Sequence, residues 1–256
     1  MKMRQRREGS RARSVSFSGI DGAGKSTQIR ALRAHLERKG LQVRVIAFWE
    51  HVARLTRIRE GAGHRVFKGD KGVGAPSAPI NRRDKNVQSP LMTCVRLCLY
   101  FLDALSARFA MEKVLRSGTD LVIFDRYIYD ELANLNLRNP LIRVYVRFIM
   151  KLTPRPQISF LLDADPIHAR ARKPEYPLDF LLANRRSYLD LDDLIGGMTV
   201  IAPMPLPAVE RQVLKHVLNE PCFGNDTEKI VGTPESRKAA SGQVKLDEPQ
   251  IRRAAS

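Results

Sequence analysis

Cysteine is scarce. Three thiols in 256 residues exclude a disulfide-stapled secreted scaffold. Cys94 and Cys98 stand four apart in an apolar run and read as buried core thiols. A metal site there would need two further ligands, and none stands nearby. The five histidines, at 35, 51, 64, 168 and 216, show no paired acid or metal spacing and read as surface or packing residues. No apolar stretch approaches the ~18–20 residues that a spanning helix needs, and the amino-terminus lacks the apolar middle of a secretory signal. The setting expected from these absences is reducing and cytoplasmic, with no membrane.

Acidic residues are also in short supply. Forty-four Lys and Arg stand against 27 Asp and Glu, a formal net charge of +17, which suggests polyanionic partners: nucleic acid, anionic membrane or phosphorylated small molecules. Residues 1–13 hold six basic side chains against Glu8, and residues 220–256 balance at zero. Most of the excess therefore lies in residues 14–219. Residues 54–90 alone carry nine basic and three acidic side chains. With 43% hydrophobic residues a buried core is available, so a disordered or collagen-like chain is excluded.

Short β-branched runs alternate with longer helical patterns. Strands are expected at Val15–Gly19, Val43–Phe48, Leu121–Phe124, Ile158–Asp163 and Met198–Ala202. Helices are expected at Lys25–Lys39, Leu91–Ser117, about 141–152, Leu178–Leu191 and about 207–219. This rhythm predicts an α/β fold with a five-stranded parallel sheet covered by helices on both faces. Residues 1–13 read as a basic disordered tail, 14–219 as the folded domain, and 220–256 as a weakly structured tail. Within the domain, the Gly- and Pro-rich stretch 50–90 breaks the periodicity and reads as a mobile insertion.

The strongest motif is Gly19-Ile20-Asp21-Gly22-Ala23-Gly24-Lys25-Ser26-Thr27, which satisfies the P-loop pattern and stands between a strand and a helix. Glycines let backbone N–H groups turn inward around phosphates, and the following helix aims its positive end at them. Lys25 would reach the β- and γ-phosphates and the Ser26 hydroxyl would ligate Mg²⁺. Gly19, Gly22, Ala23, Gly24, Lys25, Ser26 and Thr27 are thus the candidate ATP-binding set. A second element is Asp125-Arg126-Tyr127, closing an apolar strand. An acid at such a strand tip can hold Mg²⁺ or orient an acceptor, and Arg126 can fork onto a second phosphate.

These residues resemble the thymidylate kinase family of P-loop nucleoside monophosphate kinases. The resemblance is carried by Phe17 through Gln28, by Asp125-Arg126-Tyr127, by Leu161-Leu162-Asp163-Ala164-Asp165-Pro166, and by Phe180 to Leu191 with Arg185 and Tyr188. It implies a three-layer P-loop NTPase fold, ATP as phosphoryl donor with Mg²⁺, and a nucleoside monophosphate acceptor, dTMP giving dTDP. It further implies that Asp21 meets the sugar hydroxyl, that Arg126 and Tyr127 serve the acceptor, and that Ser26 and Asp125 serve the metal. The catalytic set becomes Lys25, Asp125, Arg170 and Arg172, the two arginines belonging to a lid at 166–177. Some members carry a catalytic Arg in the P-loop where this chain has Gly22, which shifts that task to the lid.

Two departures lie on the acceptor side. The family's Arg-Glu-Pro or Phe-Pro-x-Arg element is replaced by Ala47 through Arg54, and its Ala-Asp-Arg by Leu102-Asp103-Ala104, without the base-reading Arg. They motivate an alternative in which the same enzyme serves another phosphorylated or hydroxylated metabolite. A nucleic-acid-associated NTPase rests only on charge, with no aromatic stacking motif behind it. A GTPase would need Asn-Lys-x-Asp after its metal-binding switch, and Asn81 to Asp84 imitates it poorly and precedes Asp125. For the assembly, a homodimer remains one option.

Overall fold

The computed structural model describes residues 12–48, 90–116 and 118–219. The expected insertion at 50–90 and both expected tails lie almost wholly outside these residues. The chain divides into two units, Met1–Val217 and Leu218–Ser256, and the following concerns the first. In chain order the elements are β1 (Arg13–Ser18), α1 (Lys25–Arg38), β2 (Val43–Ala47), α2 (Pro90–Leu115), β3 (Leu121–Asp125), α3 (Ile128–Leu132), α4 (Pro140–Leu152), β4 (Ile158–Leu162), α5 (Pro166–Arg172), α6 (Leu178–Ile195), β5 (Thr199–Ile201) and α7 (Leu206–Asn219).

The five strands pair only in parallel, in the order β2-β3-β1-β4-β5. The central strand alternates Ser14-Val15-Ser16-Phe17-Ser18, and all five are buried. Successive side chains leave opposite faces, so both faces of the sheet are covered. Register aligns Val15 with Ile123 of β3 and with Ile158 of β4, and Phe17 with Phe160 of β4. On that face Phe17 stacks on Phe160 at 5.1 Å, and Phe160 meets His216 of α7 at 6.2 Å. The opposite face carries Ile46, Val122, Phe124 and Leu161. These join one core with Tyr100, Ala104 and Met111 of α2, Ile142 and Val146 of α4, and Leu181 and Tyr188 of α6. The serines of β1 keep this face low at its centre, where α3 lies: Ser18 Oγ reaches Asp130 at 2.7 Å.

Three details depart from expectation. β1 begins at Arg13, whose N–H donates to Asp120 O at 3.1 Å, and Ala12 is buried. The folded domain therefore takes up the end of the expected tail. Helices α3 and α5 have five and seven residues, under two turns each, too short for apolar periodicity to reveal. Cys94 and Cys98 are exposed, a correction to their reading as core thiols. The buried face of α2 is Tyr100, Ala104, Ala107, Met111 and Val114. At 100° per residue both thiols fall on the opposite side, with exposed Val95, Leu102 and Phe109. Apolar identity does not say which side of a helix faces in. Among the described residues no helix is long and apolar enough to cross a membrane.

Phe160 is fully buried between Phe17 and α7. Phe160→Ala should destabilise the domain by about 3–5 kcal/mol, read as a lower urea midpoint. A loss below about 1 kcal/mol would contradict this packing.

Candidate phosphate-binding site

In a parallel sheet the carboxyl ends of the strands lie along one edge, where α/β ligands bind. The loop after β1 and the tip of β3 both end there. Residues 19–24 form a tight turn: Ala23 N donates to Ile20 O at 3.2 Å, and Gly24 O accepts the N–H groups of Thr27 and Gln28 to open α1. Two glycines are obligatory for contact as well as conformation. Gly19 has φ 139° and Gly22 φ 81°, and a Cβ would lie 2.5 Å from Leu162 O at the first and 2.3 Å from Ala169 O at the second. An arginine at position 22 is therefore excluded in this arrangement. Gly24 caps α1 without a side-chain bond, and the first turn carries no acid. The positive end of the helix faces the loop without a carboxylate of its own there.

Lys25 is buried, and its Nζ donates to Gly19 O at 2.7 Å and Ile20 O at 2.9 Å. Burial and then the charge of Arg126 push its ammonium down to about 8, against the opposing pull of Asp21, Asp130 and Asp125. Arg126 follows β3 with φ 68°, the one positive φ outside glycine among the described residues. Its N–H donates to Phe17 O at 3.1 Å, and its guanidinium donates to Asp21 Oδ1 at 2.6 Å and Asp130 Oδ1 at 3.5 Å. Such a conformation costs of order 1–2 kcal/mol, and these contacts hold it.

Asp130 supports that arginine from below. Its carboxylate also accepts Ser18 Oγ at 2.7 Å, Tyr188 OH at 2.7 Å and Tyr127 N at 3.1 Å. Burial, and then the Asp130 charge, push the Tyr188 phenol well up, so it stays a donor. Burial alone would raise Asp21, but Arg126, Lys25 and Lys173 outweigh it and hold the carboxyl below its ordinary value.

Of the residues singled out from sequence, the fold brings Asp21, Lys25, Asp125 and Arg126 together electrostatically. Asp125 ends β3 in register with Phe17 and Ala47. Ser26, exposed, and Thr27, half-buried, lie in the first turn of α1. Tyr127 is a correction: it is fully buried, packs on Phe124 and Tyr129, and gives its hydroxyl to Pro154 O. It belongs to the core rather than to an acceptor surface, because the turn at Arg126 sends consecutive side chains apart. Arg170 and Arg172 are exposed on α5. Arg185 instead grips Asp163 with two bonds, of 2.5 and 2.7 Å. Sequence reasoning missed Asp130 and gave Lys173 no individual role. The available signal for Asp130 was an acid at the third position of a helix, able to reach back to Tyr127 N.

A glycine loop closing onto a helix that starts with Lys and Ser, at the carboxyl edge of this strand order, defines a P-loop NTPase fold. More narrowly, the chain is similar in sequence to thymidylate kinases. It is 28% identical over 209 residues to a probable thymidylate kinase of Archaeoglobus fulgidus, covering 78% of this chain and 92% of that protein. It is 29% identical over 187 residues to a thymidylate kinase of Bifidobacterium longum strain DJO10A, covering 69% and 82%. Among solved structures, the thymidylate kinase of Candida albicans superposes with a TM-score of 0.55 at 14% identity, over 83% of this chain and 94% of that one. The last comparison bears on the fold alone. A family model described as Methylmalonyl Co-A mutase-associated GTPase MeaB matches residues 2–51, a stretch that takes in β1, the P-loop, α1 and β2.

Asp130→Ala would leave the half-buried Arg126 with Asp21 as its remaining partner in this network. Stability should fall by about 3 kcal/mol in chemical denaturation, against about 1 kcal/mol for Tyr188→Phe, which removes one hydrogen bond. Equal losses for the two variants would show that the Asp130 charge is not what matters.

Proposed function

We propose that this chain transfers the γ-phosphoryl group of ATP to a nucleoside monophosphate, with dTMP as the leading acceptor. The observation that carries the reading is two cations at one edge of the sheet, Lys25 in the P-loop and Arg126 after β3, both acting on Asp21. A donor and an acceptor phosphate each need such a partner. The relatives named thymidylate kinase support the same class.

On this account both cations exchange partners when substrates bind. Lys25 leaves the Gly19 and Ile20 carbonyls for phosphate oxygens of ATP, while main-chain N–H groups of the loop and of the start of α1 hold the rest of the chain of phosphates. Arg126 gives up Asp21 for the acceptor phosphate, and Asp21 turns to the sugar hydroxyl. Arg170 and Arg172 close from α5 as lid cations. The Ser26 hydroxyl and the Asp125 carboxylate are hard oxygen donors, the set that suits Mg²⁺ shared with phosphates and water. Mg²⁺, when bound, neutralises charge on the transferring phosphoryl group. The protein otherwise supplies alignment and positive charge.

One observation favours the alternative of a different acceptor. Position 104, where the resembling family reads the base with Arg, is a fully buried alanine in the core of α2.

ADP release measured with a panel of nucleoside monophosphates should show turnover that requires an acceptor, greatest with dTMP. Lys25→Ala should lower it by about a hundredfold or more. Acceptor-independent ADP release, or near-normal activity of Lys25→Ala, would overturn the proposal; preference for another acceptor would select the alternative.

Lys25 near 8 also predicts a proton linkage. Below that pH the ammonium is already formed. Above it, part of the population is neutral and must take up a proton to meet a triphosphate, so affinity for ATP should fall as pH rises from 8 to 9. Calorimetric titrations at pH 8.5 in two buffers of different ionisation enthalpy should report net uptake. A value of zero would contradict the buried, charge-crowded state of Lys25.

A further inference from the structure

The amino edge of the sheet, opposite the P-loop, carries a second concentration of positive charge. From Ala133 to Leu162 the chain holds Arg138, Arg143, Arg147, Lys151 and Arg155 and not one acid. Arg147 and Lys151 are neighbours on one face of α4, one turn apart, and Arg155 follows in the stretch that leads into β4. With Met150 of α4 and Leu194 and Ile195 at the end of α6, these three cations line a cavity of about 500 Å³, a size that suits a small molecule. Both helices end just before a strand begins, α4 before β4 and α6 before β5. The length of β4, about 16 Å, therefore separates the cavity from the edge that carries the P-loop.

Arg155 is fixed in place at the cavity wall. Its two terminal nitrogens donate to Ile195 O and Gly196 O, both at 3.3 Å, which covers the negative end of α6. Its Nε–H keeps no bond among the described residues. Nor, among these residues, does an ion pair engage Arg147, Lys151 or Arg155. Asp192, on the last turn of α6, accepts Met198 N at 3.1 Å. Like charges one turn apart repel, and a polyanion lying between them relieves that repulsion. The rest of the lining is apolar: Met150 is buried, and Leu194 and Ile195 are half-buried. An inorganic anion would leave that floor uncovered, and an apolar ligand would leave the cations without partners. We propose that the cavity is a second, non-catalytic nucleotide site. It takes a nucleoside triphosphate, with the phosphates among Arg147, Lys151 and Arg155 and the base laid on Met150, Leu194 and Ile195.

The full chain is cross-linked by light to 8-azido-ATP, and the tagged peptides are mapped by mass spectrometry. Tags should fall within 147–155 or 190–198 as well as near the P-loop. ATP and dTTP should both suppress the first set, because the floor offers no polar side chain to select a base. Adenosine and tripolyphosphate each carry half of the ligand and should compete about tenfold less well or worse. Arg147→Gln combined with Lys151→Gln changes exposed helix positions that glutamine suits. It should cut the tags at the amino edge about tenfold or more, while those near the P-loop stay within about twofold. Lys25→Ala should do the reverse. The inference fails if no tag falls at the amino edge, if the double variant leaves those tags unchanged, or if Lys25→Ala removes both sets together. It fails too if tripolyphosphate competes as well as ATP, the behaviour of a simple anion site, or if an oligonucleotide competes far better, the behaviour of a nucleic-acid surface.

Discussion

Arg126 is held between two carboxylates, and the rest of the site is arranged around that fact. Asp21 belongs to the P-loop, Asp130 to α3, and Asp130 in turn gathers Ser18 of β1 and Tyr188 of α6. One guanidinium and its counter-charges thereby tie the phosphate loop to the middle of the sheet and to two helices. A partly buried cation demands compensation, so these elements cannot drift apart without exposing an unpaired charge. Burial works against the Arg126 charge, and Asp130 and Asp21 more than restore it.

The site is consequently self-satisfied. Lys25 rests on carbonyls of its own loop, Arg126 on Asp21, and Lys173 on Glu175. Binding phosphates is then an exchange of partners rather than the neutralisation of bare charge, and Lys25 is already desolvated and placed. This is the preorganisation that phosphoryl transfer asks of a protein. It also gives part of the large positive charge of the chain a purpose: cations from the P-loop and from the turn after β3 act on one carboxylate, where two sets of phosphates would meet.

The sheet was legible in sequence because its strands are short, β-branched and separated by helical patterns, and the P-loop was legible because backbone geometry demands its glycines. Strand boundaries moved by one or two residues, as at Arg13. What stayed hidden was what depends on the facing of a side chain. Cys94 and Cys98 lie in an apolar run yet point outward, since the inner face of α2 is set by Tyr100, Ala104 and Met111. Tyr127 follows a functional arginine yet enters the core, because a positive φ at Arg126 separates the two. Asp130 gains its importance only when α3 packs over the serines of β1. That contact has no local pattern that reading along the chain would expose.

The central claim, that donor and acceptor phosphates meet at this edge of the sheet, is tested most directly by following the label from ATP carrying ³²P at the γ position, incubated with the protein and dTMP. The account predicts that the label moves to the acceptor and appears as labelled dTDP, with little as inorganic phosphate. Label released as inorganic phosphate at the same rate with and without acceptor would contradict it, and would make the P-loop the site of a hydrolase.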